Sequence, residues 1–286
     1  MKVFLTGGSG YIGAVVIEAL LRHGHEVTAL ARSERAVDVV TKLGAKAVVG
    51  ELTDVDVLRD AAAAADGVLH LGASYERSAE VDRAAADALL EGLDGRGTYV
   101  HTGGVWVYGD TDGVVDEDAV KKPPAITAWR LENEARVLAT VERGWHPVVV
   151  MPALVYGRSQ GLIETFFVEP ARENKAVGLV GDGSNYTTLV HVDDLAELYV
   201  LALEKAPAGS VYVGVAQNAT FAELGPALAK AAGQEHVRHL DDAAEQMGPI
   251  AEAFALDQRM TGERARQELG WIPQHLDAIK DLAAKR

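Results

Sequence analysis

The segment Met1-Lys2-Val3-Phe4-Leu5-Thr6-Gly7-Gly8-Ser9-Gly10-Tyr11-Ile12-Gly13 decides the fold of this chain. Apolar residues 3–5 predict a buried strand, and apolar residues at helical spacing over positions 12–20 predict a helix that ends near Gly24. Strand, glycine turn and helix in this order are typical of a dinucleotide-binding loop. Gly7 would form the tight turn, Gly10 would let a pyrophosphate approach the backbone, and Gly13 would let the helix pack against the sheet.

The composition limits what kind of protein this is. With 286 residues, 48% of them apolar, the chain can form one large α/β domain or a core domain with a smaller lobe. The net charge of −15 argues against nucleic acid as the main partner. The absence of cysteine excludes disulfides and thiolate chemistry and fits a cytoplasmic location. No apolar stretch approaches the roughly 20 residues of a membrane span, and the early glycine loop argues against a signal peptide.

Strand and helix patterns alternate through the first half of the chain. Strands are predicted at 26–31, 47–49, 67–71, 98–102, 147–151, 177–180 and 211–215, and helices at 34–43, 54–65, 78–93, 128–142, 162–174, 192–204, 221–232, 261–269 and 275–284. This order predicts an α/β fold: a doubly wound parallel Rossmann sheet with helices on both faces and a smaller, mainly helical C-terminal lobe. We assign residues 1–156 and about 185–215 to the nucleotide-binding domain, and about 157–184 and 216–274 to a substrate lobe.

Several short motifs, in order along the chain, resemble those of the extended and atypical short-chain dehydrogenases/reductases. They are Thr6-Gly7-Gly8-Ser9-Gly10-Tyr11-Ile12-Gly13, Glu51-Leu52-Thr53-Asp54, Leu69-His70-Leu71-Gly72-Ala73, Val107-Tyr108-Gly109, Val155-Tyr156-Gly157, His191-Val192-Asp193-Asp194-Leu195-Ala196 and Leu269-Gly270-Trp271-Ile272-Pro273. The resemblance implies a nicotinamide cofactor at the interface of the Rossmann domain and the lobe. The cofactor contacts that it implies are Gly7, Ser9, Gly10, Tyr11, Ile12, Gly13, Glu51, Leu52, Leu71, Gly72, Ala73, Thr102, Arg130 and Pro152.

The end of the second predicted strand indicates which nicotinamide cofactor is preferred. NAD-selective sites usually carry an acid there, but this strand ends in Ala31-Arg32-Ser33. Arg32 can form a forked pair with a 2′-phosphate and Ser33 can add a hydroxyl, so we expect NADP(H) to be preferred over NAD(H). The alternative is that Arg32 is an ordinary surface residue, with Glu34 placed to pair with it or to repel a phosphate.

The catalytic machinery usual in this superfamily is incomplete. None of the tyrosines is followed four residues later by lysine. Aligning Glu134 with the glutamate usual after that lysine places Arg130 at the lysine position and Ile126 at the tyrosine position. This is similar to the atypical branch of the superfamily. Arg130 could still hold the ribose hydroxyls, but isoleucine cannot transfer a proton.

Other residues are therefore candidates for the active site. Proton donors could be Tyr108, Thr102 or Tyr156, although Tyr108 could equally be a buried packing residue. Candidates for the substrate pocket are Tyr75, Trp106, Phe166 and Phe167, with ordinary core packing as the alternative. We expect His101 and His191 to be structural. No metal site is expected, because the chain lacks cysteine and adjacent acids such as Asp193 and Asp194 diverge on a helix.

The function predicted from the sequence is that of an NADP(H)-dependent oxidoreductase, transferring hydride to a small carbonyl compound. Two alternatives remain: a catalytically silent NADP-binding sensor or scaffold, and a sugar-nucleotide epimerase or dehydratase. The missing tyrosine–lysine pair favours the first alternative and, because an epimerase needs that tyrosine, opposes the second. The expected partner is a small molecule, with neither nucleic acid nor membrane, and the chain is expected to be a monomer or a homodimer.

Overall fold

The computed structural model describes residues 1–74, 76–240 and 242–284. Its strands are β1 Lys2–Thr6, β2 Glu26–Ala31, β3 Lys46–Val49, β4 Gly67–His70, β5 Thr98–Thr102, β6 Val114–Val115, β7 His146–Pro152, β8 Leu154–Tyr156, β9 Val177–Val180, β10 Tyr186–His191, β11 Val211–Gly214, β12 Gln217–Thr220, β13 Val237–Leu240 and β14 Arg259–Met260.

The helices follow the strands. They are α1 Tyr11–Arg22, α2 Glu34–Lys42, α3 Val55–Ala63, α4 Ser78–Leu93, α5 Arg130–Ala139, α6 Gly161–Ile163, α7 Glu169–Asn174, α8 Val192–Lys205, α9 Phe221–Ala231, α10 Ala243–Met247, α11 Ala251–Phe254, α12 Glu263–Leu269 and α13 Ala278–Ala283. A π-helical turn, Glu164–Val168, joins α6 to α7, and 3-10 turns cover Val105–Tyr108, Thr140–Arg143 and Gly248–Ile250.

The central sheet has seven parallel strands in the order β11-β7-β5-β4-β1-β2-β3. Strands β2 and β3 lie on one side of β1, and strands β4 and β5 lie on the other side. Helices α1, α2 and α8 bury apolar residues against one face, while α3, α4 and α5 cover the other. The predicted doubly wound Rossmann fold is confirmed, and ligands of such sheets bind where the strand order reverses, beyond the carboxyl ends of β1 and β4.

The C-terminal lobe has its own apolar core, which includes Phe167, Phe221 and Phe254. A three-stranded sheet, β12-β10-β8, and a two-stranded sheet, β13-β9, support this core beside the helices. Of these strands, only β9 was predicted from the sequence. Among the described residues, no helix is long and apolar enough to cross a membrane.

Candidate active site

The glycine loop leaves the N-terminus of α1 open to a ligand. Gly10 precedes the helix, no side chain of the described residues caps it, and both Ser9 and Gly10 are exposed. The Gly10 amide donates to the Gly7 carbonyl oxygen at 3.0 Å, which closes the turn. A Cβ atom at Gly13 would lie 2.1 Å from that same oxygen, and one at Gly7, where φ is +75°, would lie 2.7 Å from the Gly72 amide nitrogen. Open helix amides and close backbone contacts fit a dinucleotide pyrophosphate.

The neighbouring strand ends bring other predicted cofactor residues to this loop. The Thr6 hydroxyl accepts the Gly72 amide at 2.9 Å, which ties the end of β1 to the segment after β4. A Cβ atom at Gly72 would lie 2.9 Å from Leu52 Cδ2, so Leu52 packs on the same segment. Tyr11 donates its hydroxyl to the Gly157 carbonyl at 2.8 Å and so links α1 to the end of β8.

Arg32 and Ser33 lie at the carboxyl end of β2, the strand next to β1 in the central sheet. The Arg32 side chain is exposed and has no partner among the described residues. The Ser33 hydroxyl accepts the Ala36 amide at 3.2 Å and caps α2. Glu51, beyond β3, is exposed as well.

The end of β5 carries Thr102, whose hydroxyl is hydrogen-bonded to the Tyr199 hydroxyl at 2.9 Å. Arg130, the first residue of α5, donates from Nη1 to the Thr102 carbonyl oxygen at 3.2 Å. Both residues are half-buried, and Pro152 ends β7 on the neighbouring strand. The fold thus places a hydroxyl and a guanidinium together at the carboxyl edge of the sheet.

The two tyrosines predicted as proton donors are both buried and hydrogen-bonded inside the protein. Tyr108 donates to the Glu117 carbonyl oxygen at 2.9 Å, and Tyr156 donates to Asp281 Oδ2 at 3.2 Å. Burial raises the pKa of Tyr108 well above its usual value, and Glu117 adds to the effect. Burial likewise raises the pKa of Tyr156, with Asp281 acting in the same direction. These surroundings hold both phenolic protons firmly.

The predicted substrate residues lie in different surroundings. Trp106 and Phe166 are half-buried and each packs edge-on against Phe254, with ring centroids 5.8 and 5.7 Å apart. Phe167 is buried, stacked on Phe221 at 5.3 Å within the lobe core. Tyr75 lies outside the described residues. Phe254, which joins Trp106 to Phe166, was missed in the sequence because it comes from a distant segment without a motif.

An ion pair beneath the end of β5 was also missed. Lys121 Nζ lies 3.0 Å from Glu134 Oε2, and a Cβ atom at Gly103 would lie 2.7 Å from Glu134 Oε1. Burial raises the pKa of Glu134, although Lys121 opposes the shift. In the sequence, Glu134 was singled out only because its spacing from Arg130 matches the glutamate usual after the catalytic lysine.

A cavity of about 360 Å³ lies in the lobe. Its walls include Tyr156, Ile163, Glu164, Arg172, Lys230 and Asp281. Of the predicted site residues, only Tyr156 lines this cavity.

The chain is similar to known proteins in both sequence and fold. A sequence model of the NAD dependent epimerase/dehydratase family matches residues 3–214. An uncharacterized protein of Saccharomyces cerevisiae is 31% identical over 99% of this chain and 98% of its own length. A 4-hydroxy-2-methyl-3-oxo-4-farnesyl-3,4-dihydroquinoline-1-oxide ketoreductase of Stigmatella aurantiaca is 32% identical over 74% of this chain and 67% of its own. The solved dTDP-glucose 4,6-dehydratase of Bacillus anthracis, in complex with NAD, superposes with a TM-score of 0.83 over 99% of this chain and 94% of its own, at 19% identity.

Proposed function

The chain belongs to the NAD dependent epimerase/dehydratase family, and we propose that it is an NADP(H)-dependent reductase of a small carbonyl compound. As a member of this family, it is an NAD(P)-dependent enzyme. The observation that carries the cofactor preference is Arg32, exposed and unpaired among the described residues at the end of β2. A guanidinium there suits a 2′-phosphate, whereas an NAD-selective site would hold an acid.

The remaining contacts follow from the placement of the strand ends. We assign the pyrophosphate to the amides at the N-terminus of α1, and the 2′-phosphate to Arg32 with help from the Ser33 hydroxyl. Leu52 and the segment after β4 would line the adenine side, while Arg130 and Pro152 would contact the nicotinamide side. When bound, the cofactor supplies the hydride.

We assign polarisation of the substrate carbonyl to Thr102 and Arg130. The Thr102 hydroxyl would donate to the substrate carbonyl oxygen. Arg130 is held nearby, with Nη1 3.2 Å from the Thr102 backbone oxygen. Its positive charge would stabilise the negative charge that develops on the substrate oxygen. Solvent would supply the proton. Tyr108 and Tyr156 are weaker candidates for this role because their hydroxyl groups already donate to internal acceptors.

The substrate class is proposed from the half-buried aromatic pair Trp106 and Phe166, which meet at Phe254. An aromatic surface of this kind favours an apolar group beside the substrate carbonyl. The similarity to the ketoreductase from Stigmatella aurantiaca supports a ketone as the substrate. We therefore propose ketones and 3-oxo compounds with an apolar substituent as the first substrates to test.

The test of the cofactor assignment is the variant Arg32→Asp, with dissociation constants measured by quenching of protein fluorescence. Loss of a charge-assisted contact should weaken NADPH binding by about 10–100-fold, while NADH binding changes little. Arg238→Asp makes the same charge change on the exposed surface of the lobe and should leave both constants unchanged. Equal weakening of NADPH and NADH by Arg32→Asp would contradict the assignment.

The test of the reaction is NADPH oxidation with a panel of aldehydes, ketones and 3-oxo esters. We expect turnover of at least one ketone, a loss of about 100–1000-fold in kcat/KM for Thr102→Val, and little change for Tyr108→Phe or Tyr156→Phe. Cofactor binding without any turnover would contradict the proposal and favour a silent binder. A nicotinamide retained through purification, with turnover of a sugar nucleotide, would favour an epimerase or dehydratase.

A further inference from the structure

Three side chains from separate elements meet in the interior beneath the sheet. His70 ends β4, His101 lies in β5, and Asp82 projects from the first half of α4. His70 and His101 are each 1% exposed and Asp82 is 9% exposed. His70 Nε2 lies 3.4 Å from Asp82 Oδ1, and His101 Nε2 lies 3.6 Å from Asp82 Oδ2.

Both contacts are longer than the roughly 2.7–3.2 Å that is usual for a hydrogen bond between nitrogen and oxygen. His70 Nε2 is buried and has no hydrogen-bond partner among the described residues. One ligand atom from each residue lies within 4.8 Å of the others. Zinc–nitrogen and zinc–oxygen bonds of about 2.0–2.1 Å in a tetrahedron separate neighbouring ligand atoms by about 3.3 Å. The spacings of 3.4 and 3.6 Å are close to this separation, as ligands that share one cation require.

The outer atoms of the three side chains are held as metal ligands require. His70 Nδ1 is hydrogen-bonded to the Thr6 hydroxyl at 2.6 Å, and His101 Nδ1 to the Tyr99 hydroxyl at 3.0 Å. With the proton on Nδ1, each ring presents the Nε2 lone pair to the centre. Asn133 donates to Asp82 Oδ2 at 2.8 Å, which fixes the carboxylate. Such outer partners orient ligands in metal sites.

We propose that His70, Asp82 and His101 bind one divalent transition-metal ion. Two imidazoles and one carboxylate, with no sulfur, suit Zn²⁺ among the ions that such ligands hold. The ion would compensate the buried carboxylate and join β4, β5 and α4. Because the Thr6 hydroxyl contacts both His70 and the Gly72 amide, the site would also stiffen the strand ends at the glycine loop.

A second cluster, His191, Asp193 and His275, is less suited to a cation. The two rings are stacked face to face, with centroids 3.7 Å apart, so their in-plane lone pairs do not converge on one point. Arg158 already pairs with Asp193 at 2.7 Å. This cluster provides the matched control for the first.

The experiment measures metal bound to the tag-free chain after it is unfolded with EDTA and refolded with excess Zn²⁺ or Co²⁺. Passage over a chelating resin then removes loosely held ions. We expect about one ion per chain by mass spectrometry, and the visible absorption of tetrahedral Co²⁺. His101→Gln should lose both signals, and His275→Gln should keep them.

Tyr99→Phe tests the support of His101 without removing a ligand and should weaken binding of Zn²⁺ by about 10–100-fold. If His101→Gln does not fold, Tyr99→Phe and the metal content of the wild-type chain still decide the outcome. A folded wild-type chain that retains no ion would overturn the proposal. So would loss of the ion in His275→Gln with retention in His101→Gln. Neither result would bear on the cofactor site, which is tested separately.

Discussion

Gly13 has no room for a side chain, because a Cβ atom there would lie 2.1 Å from the Gly7 carbonyl oxygen. Gly13→Ala must therefore push α1 away from the loop. We expect the free energy of unfolding to fall by about 1–3 kcal/mol, measured by urea denaturation, together with weaker cofactor binding.

Gly104→Ala is the control for this change. A Cβ atom at Gly104 would meet no atom within 4 Å, and its backbone is extended, with φ at 179°. The control should match the wild type in stability. A Gly13→Ala variant as stable as Gly104→Ala would contradict the close packing of α1 on the loop.

The sequence predicts the structural roles of some residues but not the surroundings of others. The roles of the glycines follow from local geometry, so Gly7, Gly10 and Gly13 could be placed from the motif alone. The surroundings of Tyr108 and Tyr156 could not, because their acceptors, Glu117 and Asp281, come from segments that only the folded chain brings near.

At the scale of elements, α8 begins at an unusual cap. The His191 side chain accepts the Asp193 amide at 3.2 Å through Nδ1, which requires a neutral ring. Burial lowers the pKa of His191 and the neighbouring His275 adds to this, while Asp193 and Asp194 oppose it.

This cap predicts a pH dependence of stability. Below the ordinary histidine pKa of 6.5 the unfolded chain binds a proton that folded His191 resists, so stability should fall as pH drops below about 6.5. The loss from this group is at most about 1.4 kcal/mol per pH unit. His191→Asn keeps a cap acceptor without titrating, and urea denaturation between pH 5 and 7, roughly spanning the histidine range, should show a shallower slope.

The exposed His239 supplies the control, since His239→Gln should keep the wild-type slope. An unchanged slope in His191→Asn would show that another group carries the dependence.

Elements were predictable where the apolar pattern was clean. Helix α4 and strands β5 and β9 have the bounds that the sequence predicts. Strand β10 was missed because Thr187 and Thr188 are buried polar residues that break the apolar pattern. Strand β12 reads Gln-Asn-Ala-Thr and gives no strand signal in the sequence.

For the whole molecule, the sequence predicts which loops lie at the carboxyl edge of the central sheet, but it does not predict which side chains meet in the lobe. The first depends on loops that directly follow strands of one parallel sheet, an arrangement set by the alternation of elements. The second depends on contacts between distant segments, such as Trp106 with Phe254. His70, Asp82 and His101 likewise come from separate elements and meet only in the folded chain. The expectation of no metal site was made without this cluster.

The central feature of the proposed site is its preference for a 2′-phosphorylated dinucleotide at the end of β2. Calorimetric titration of the wild-type chain with NADPH and with NADH measures it without a substrate. We expect NADPH to bind more tightly by at least about tenfold, or about 1.4 kcal/mol. Binding of NADH as tight as that of NADPH, or no heat with either, would contradict the account.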